Sequence, residues 1–328
     1  MRSYSALDSA VIRLGSFLTS RARSGSALAI LMFHRVLPRK DPLLASEPDA
    51  ATFSALMELV SGHFNVLPLS DAMVRLKARK LPPRAVCITF DDGYANNHAV
   101  ALPILSARRI PATVFVASGF LDGGRMFNDT IIESVRRAPA SLDLRDIGLG
   151  SYRLTDDSTR ARAAEEIIGA LKHRDPSERS RATDTIASRV GLPEHSDLMM
   201  TRDQVRELHR AGIEIGAHTI THPILTALGA EEARREISAS KSELEAIIGA
   251  PVTTFAYPNG KPGADYAGAH VSMVSEAGFE AAFSTAWGSA DIGSDVLQMP
   301  RIAPWGKSPS RYALQIAESF RPRRYAQV

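Results

Sequence analysis

At 328 residues, the chain is long enough for about two domains of roughly 150 residues, or for one large α/β barrel. Its 45% hydrophobic and 23% charged residues exclude wholesale disorder, and a single cysteine, Cys87, excludes an intramolecular disulfide framework and a multi-cysteine zinc site. The 39 basic and 36 acidic residues leave a formal charge of +3, too mild to indicate nucleic acid, and no Lys/Arg stripe interleaved with aromatics appears.

The N-terminal segment places Leu7, Val11, Leu14 and Leu18 at helical spacing, which predicts an amphipathic helix over 4–20. Asp8 and Arg13 interrupt the apolar stretch that a signal peptide needs. The helix reads as docked onto the body, with peripheral membrane contact as the alternative, and the protein reads as cytoplasmic. No run approaches the roughly 18 apolar residues of a membrane span.

From residue 27 onward, short apolar runs alternate with helical patterns. ALAILMF (27–33) ends in His34; a helix opened by Thr52 covers 52–61; NVLPL (65–69) reads as a short strand. Ser70 caps a helix to about Arg79, with Asp71 in its first turn. AVCITF (85–90) and ATVFV (112–116), separated by a helix near 97–108, are continuous apolar runs of buried-strand type. Cys87 lies within the first of them and reads as inert packing.

Residues 121–200 break the alternation. They are rich in Arg, Asp, Glu and Ala, with helical patterns near 157–173 and 176–190, and read as an α-helical insertion without a core of its own. Asn128 and Asp129 open a helix within it and read as its N-cap. The alternation resumes with a helix at 201–211 opened by Thr201, then IEIGA (213–217), a long helix at 230–249, TTFAY (253–257) and a helix at 267–277. EAAF (280–283), VLQMPRI (296–302), a last helix from Pro309 and a solvated basic tail over 321–328 complete the chain. Seven or eight strands alternating with helices favour a parallel barrel.

Three segments place polar groups at strand ends, where sites form in parallel α/β folds. In TFDDG (89–93), two adjacent carboxylates leave a buried strand and Gly93 permits a sharp turn. One could hold a metal while the other faces a substrate, although a helix N-terminus also favours Asp there. In GAHTITHP (216–223), His218 and His222 are four apart, and one helical turn would bring both imidazoles to one side. Solvated loop histidines are the plain alternative. FAYPNG (255–260) ends in a turn whose backbone N–H groups could stabilise an oxyanion, or which is an ordinary β-turn. One Asp and two His make three metal ligands with a position left open, as catalytic zinc sites require. The spare aspartate is then a general base for metal-assisted hydrolysis. Neutral imidazole is required of the ligands, so ordinary histidines would release metal below about pH 6.5.

At these residues the sequence resembles the polysaccharide deacetylases, the NodB-homology carbohydrate esterases. TFDDG matches the first family motif, HTITHP the second and FAYPNG a variant of the third. The resemblance covers roughly 28–120 and 200–305. It implies a distorted (β/α) barrel of about seven strands, a divalent metal (usually zinc) and removal of acetyl groups from a glycan. Carried over by residue, it implies Asp91 as base, Asp92, His218 and His222 as metal ligands, and the N–H near Asn259 as oxyanion donor. Two departures stand out. Ala256 occupies the place of an arginine that orients the base, and no histidine follows His270 to serve as general acid. Arg301 in MPRI is the candidate replacement for the first. His34 is the candidate for the second, in the manner of exopolysaccharide deacetylases with a permuted layout. Trp287 and Trp305 read either as a sugar platform or as core.

The expected partner is an acetylated glycan, with no nucleic acid and no transmembrane segment. The alternatives are a small amide or cyclic ureide hydrolase on the same fold, and a glycan-binding module that has lost catalysis. Residues 121–200, interrupting a strand-end loop, are expected to cap the site mouth and to contribute to substrate selection.

Overall fold

The computed structural model describes residues 27–303, 309–321 and 324–328. The predicted helix at 4–20 and Trp305 lie outside them. Seven strands run parallel in one sheet: β1 (Ala27–Phe33), β3 (Ala85–Phe90), β4 (Thr113–Val116), β7 (Glu214–Ala217), β8 (Thr254–Ala256), β9 (Ala281–Trp287) and β11 (Met299–Arg301). A parallel bridge between Leu31 and Ile302 joins the last strand to the first, through Met32 N–H to Ile302 O at 2.9 Å and Ile302 N–H to Ile30 O at 2.8 Å. The sheet is therefore a nearly closed barrel. Two short strands flank it: β2 (Asn65–Val66) pairs with β3, and β10 (Ala290–Asp291) runs antiparallel to β1.

The period of two along each strand decides what faces inward. Ala29, Leu31 and Phe33 of β1, with Val86, Ile88 and Phe90 of β3, pack outward under α1 (Ala50–His63). Leu28, Ile30, Ala85, Cys87, Phe115, Ala256, Phe283 and Met299 form the inner cluster, shared with Leu69, Ala72, Met73 and Leu76 of α2 (Leu69–Lys77). That helix closes the strands' N-terminal end. Burial raises the Cys87 thiol pKa well above its ordinary value, with Glu214 and Asp71 adding to the effect, so it is the inert residue expected. Continuing the inner register to the other end of the barrel brings up Met32 and His34, Thr89 and Asp91, and Arg301. The alternation thus carries polar chemistry to one mouth.

Helix starts differ from the predicted ones where a neighbour offers the better cap. Asp49, not Thr52, opens α1, its carboxylate accepting from Thr52 N–H at 2.8 Å. α2 begins after Pro68, which has no side-chain cap to offer; the Glu214 carboxylate instead accepts from Leu69 N–H and Ser70 N–H, at 3.1 and 3.3 Å. Thr201 does open α7 (Arg202–Arg210), through a reciprocal box with Gln204.

Between β4 and β7 lie α4 (Phe127–Arg137), the hairpin of β5 (Ser141–Asp143) and β6 (Ser151–Arg153), α5 (Asp157–Lys172) and α6 (Pro176–Arg189). The predicted helices are present, but the expectation that this segment builds no core is not met. Ile131, Val135, Leu144, Leu154, Ile167, Leu171 and Ile186 form a separate buried cluster. Its apolar residues are scattered over three helices and the β5–β6 hairpin, with no concentrated run to reveal them. The basic tail is not simply solvated either. Arg321 and Arg324 are exposed, but both amide atoms of Gln298 bind the Val328 backbone, at 2.8 and 2.9 Å.

Candidate active site

A cavity of about 430 Å³ at the C-terminal mouth of the barrel brings together His34, Asp91, Asp92, His218, His222 and Asn259. Asp91 continues the inner face of β3, and its carboxylate is gripped bidentately by Arg301, Nη1 to Oδ1 and Nη2 to Oδ2 both at 2.7 Å. Asp91 is 2% and Arg301 1% exposed, so the pair is removed from water and strongly coupled. Burial opposes ionisation of Asp91, but Arg301, His218 and His34 outweigh it and hold the carboxyl below the ordinary range. Arg301 Nε also donates to Ser284 O at 3.0 Å, which fixes the guanidinium plane. The residue after the strand, Asp92, has φ +76°, and Gly93 follows at φ +88° with space beside Val116 too small for a relaxed Cβ. This turn points the two adjacent carboxylates at different partners. Neither serves as a helix cap.

The two histidines converge by another route than the predicted helical turn. Residues 218–222 are a loop in which Thr219 (φ +63°) and His222 (φ +54°) are left-handed, and the rings meet with centroids 4.7 Å apart. The loop is held from below by Glu236 of α8 (Ala230–Ile248), which accepts from Ile220 N–H, Thr221 N–H and the Thr221 hydroxyl, each at 2.8 Å. Of the eight non-glycine residues with positive φ among the described residues, Asp92, Thr219, His222 and Asn259 belong to this site. Backbone strain of that kind persists where surrounding structure enforces it.

Asp92 Oδ1 lies 3.4 Å from both His218 Nε2 and His222 Nε2. Burial opposes its ionisation too, yet His222, His218 and His34 hold its pKa well below the ordinary carboxylate value. The residues fit a divalent cation on three counts. Tetrahedral bonds of about 2.0–2.1 Å separate ligand atoms by about 3.4 Å, the spacing found here. Asp92 Oδ1 is buried with no hydrogen-bond donor among the described residues. His218 Nδ1 donates to Ala256 O at 2.7 Å; the carbonyl can only accept, so Nε2 keeps its lone pair for a metal. Burial, reinforced by His218 and His34 against the pull of Asp92, pushes the His222 pKa down to about 4. Proton competition at His222 therefore sets in near pH 4, well below the pH 6.5 of an ordinary histidine. Glu236→Ala is expected to weaken metal affinity about 10–100-fold by releasing the 218–222 loop. Competition against a chromophoric chelator measures it, and an unchanged affinity would show that the loop holds itself.

His34 lines the cavity from the end of β1. Burial disfavours its charge, but the carboxylates of Asp92, Asp91 and Glu47 prevail and raise its pKa above 6.5. In the turn after β8, Tyr257 N–H is used by Phe283 O, Pro258 has none, and Gly260 N–H folds back to Pro258 O. Asn259 N–H has no partner among the described residues, and its carbonyl is anchored by the Thr285 hydroxyl at 2.8 Å. Trp287 packs against the main core and does not line the cavity.

Several cavity residues escape sequence reasoning. Asp129 does not cap α4, whose N-cap is Met126 with no side-chain bond. It is buried in the cavity wall, accepting from the Tyr94 hydroxyl at 3.0 Å and facing Arg35 at 3.5 Å. Burial pushes its pKa up to about 7 against the pull of Arg35 and Tyr94. Glu47, Lys172 and Arg179 complete the polar lining. Glu236 did leave a signal: with Ala233, Ile237, Ser240 and Leu244 it occupies the buried stripe of α8, where an unpaired charge is out of place.

The family model described as polysaccharide deacetylase matches residues 78–145 and 151–282. The chain belongs to the polysaccharide deacetylase family. That match takes in Asp91, Asp92, His218, His222 and Asn259 and stops short of His34 and Arg301, which the barrel brings to the same mouth. The chain is similar to the Bacillus subtilis (strain 168) protein YxkH, itself assigned by name to polysaccharide deacetylases, at 21% identity over 291 residues, 88% of this chain and 76% of YxkH. Among solved structures it is similar to the Streptococcus pyogenes deacetylase PplD in complex with acetate, with TM-score 0.60 and 18% identity over 90% of this chain and 99% of that one. It is also similar to IcaB from Ammonifex degensii, with TM-score 0.58 and 18% identity over 90% and 98% of the two chains. These neighbours share the deacetylase barrel. Among the described residues, no helix is long and apolar enough to cross a membrane.

Proposed function

We propose that the chain hydrolyses N-acetyl groups on hexosamine units of a polysaccharide or its precursor, with a divalent cation, zinc first among the candidates, held by Asp92, His218 and His222. The observation that carries this reading is the bidentate Arg301–Asp91 pair facing the Asp92–His218–His222 cluster in one cavity. It supplies from a distant strand the arginine absent at Ala256, and with it the main reason for an inactive binding module falls away.

A divalent cation there would supply Lewis acidity toward a carbonyl oxygen and make water more acidic. Asp91, kept ionised by Arg301, accepts a proton from water as its oxygen attacks the acetyl carbon. Asn259 N–H donates to the carbonyl oxygen as negative charge develops on it. His34, whose pKa the surrounding carboxylates raise, gives its proton to the sugar nitrogen as the C–N bond breaks, leaving an amine and acetate.

Metal analysis combined with acetate release from N-acetylglucosamine oligomers tests the assignment. The parent should hold one divalent ion per chain and release acetate. A His218→Ala, His222→Ala double variant should lose both. A variant that kept its metal would remove these ligands from the assignment.

A further inference from the structure

The floor of the cavity carries the carboxylates and histidines; part of its roof comes from the segment between β4 and β7. There Phe127, Asn128, Ile132, Ile168, Lys172 and Arg179 line it. Lys172 closes α5 and Arg179 lies one turn into α6, both half-buried. Arg179 is held in place from two sides. Its guanidinium stacks over the Phe127 ring at 4.8 Å, and Nη1 donates to Lys172 O at 3.1 Å.

Arg35, which also lines the cavity, faces Asp129 at 3.5 Å, and the buried Arg301 behind Asp91 grips that carboxylate at 2.7 Å. Among the described residues, no carboxylate lies within 4.0 Å of Lys172 or Arg179. The nearby Asp175 attracts Arg179 only at longer range, and its side chain already accepts from Ser177 and Glu178 N–H. Burial accordingly lowers the Arg179 pKa. A half-buried cation without a close carboxylate has lost part of its hydration, and the ring and the carbonyl beside Arg179 leave its charge unneutralised. A second cavity of about 330 Å³ shares Met126, Phe127, Arg179 and His222 with the first, so the groove continues past Arg179, with room for more than one sugar unit.

We propose that Lys172 and Arg179 form an oxyanion subsite beside the acetyl site, so that the preferred substrate carries a carboxylate or phosphate on or next to the acetylated sugar. This rests on the deacetylase reading above. The guanidinium offers a planar fork to such a group and the ammonium a mobile second contact. The carboxylates lining the cavity have roles of their own: Arg301 grips Asp91, Arg35 faces Asp129, Glu47 accepts from Arg35 N–H, and Asp92 belongs to the candidate metal cluster.

Three N-acetylhexosamine oligomers of equal length test it: a neutral one, one with a neighbouring uronate and one with a phosphate ester. At least one acidic probe should exceed the neutral one about tenfold in kcat/KM, mainly through KM, and added salt should erode the preference. Whichever acidic probe wins identifies the source of the anion. Lys172→Gln and Arg179→Gln should each reduce the acidic-to-neutral ratio several-fold. Lys172 has no side-chain partner among the described residues to lose, so its variant tests the subsite with little disturbance of the fold. Arg153→Gln, an exposed cation on the β5–β6 hairpin, should keep the ratio. Equal rates on all three probes, or an unchanged ratio in the Lys172→Gln, Arg179→Gln double variant, would overturn the subsite. Absence of acetate from every probe would instead overturn the deacetylase reading. Calorimetric binding then decides the subsite alone: tighter binding of an acidic probe, lost in the double variant, supports it, and equal affinities refute it.

Discussion

Asp91→Asn is expected to release acetate about 10²–10⁴-fold more slowly than the parent while binding the same amount of metal. The amide is nearly isosteric and keeps one oxygen for Arg301, which holds the carboxylate through two 2.7 Å bonds, but it cannot take a proton from water. Arg301 also fixes the sign of the pH dependence. The folded pKa of Asp91 is depressed, so the pairing contributes its full stability above the ordinary carboxylate pKa and loses it as pH falls through the lowered value. Across the neutral range the base is therefore ionised. Loss of metal together with activity would show that Asp91 and Asp92 have each other's roles.

His34→Ala should retain fold and metal, yet hydrolyse an unactivated N-acetyl amide about 10²–10⁴-fold more slowly. An amine leaves poorly unless protonated, whereas the phenolate of an activated acetyl ester needs little help, so the ester should suffer far less. The folded His34 pKa is raised, so amide hydrolysis should decline as pH rises through that value, above 6.5, and the variant should lack this alkaline limb. Glu47→Gln removes one of the carboxylates that raise the pKa and should move the limb to lower pH. Equal losses on amide and ester would assign His34 to positioning rather than to acid catalysis.

The barrel was legible because its strands are buried on both faces. AVCITF and ATVFV are continuous apolar runs, and the alternation with helices leaves few other ways to close a sheet. The candidate site was legible for a related reason: Asp91, Asp92 and His218 follow such runs directly, at strand ends, and His222 lies four residues further on. The separate core of the segment between β4 and β7 was not, because it is assembled from single residues of α4, α5, α6 and the β5–β6 hairpin. Asp129 misled because an acidic residue in a first helical turn looks like a cap, whereas burial beside Tyr94 and Arg35 is a property of the packed cavity.

The sequence by itself determined the parallel α/β alternation and the candidate ligand motifs, since each is written in residues close together along the chain. Sequence offered Arg301 only as a candidate partner for Asp91; tertiary structure brings the two together across 210 positions through closure of β11 against β1. It also decided how His218 and His222 converge. A spacing of four suits a helix, but Glu236 satisfies the N–H groups of a left-handed loop instead, and a hydrogen bond from a distant helix leaves no local trace in HTITHP. The roof of the cavity follows the same rule. Lys172 and Arg179 read in sequence as ordinary helix-surface cations, and line one cavity with the candidate site, with no carboxylate within 4.0 Å among the described residues, only when α5 and α6 fold over the mouth of the barrel.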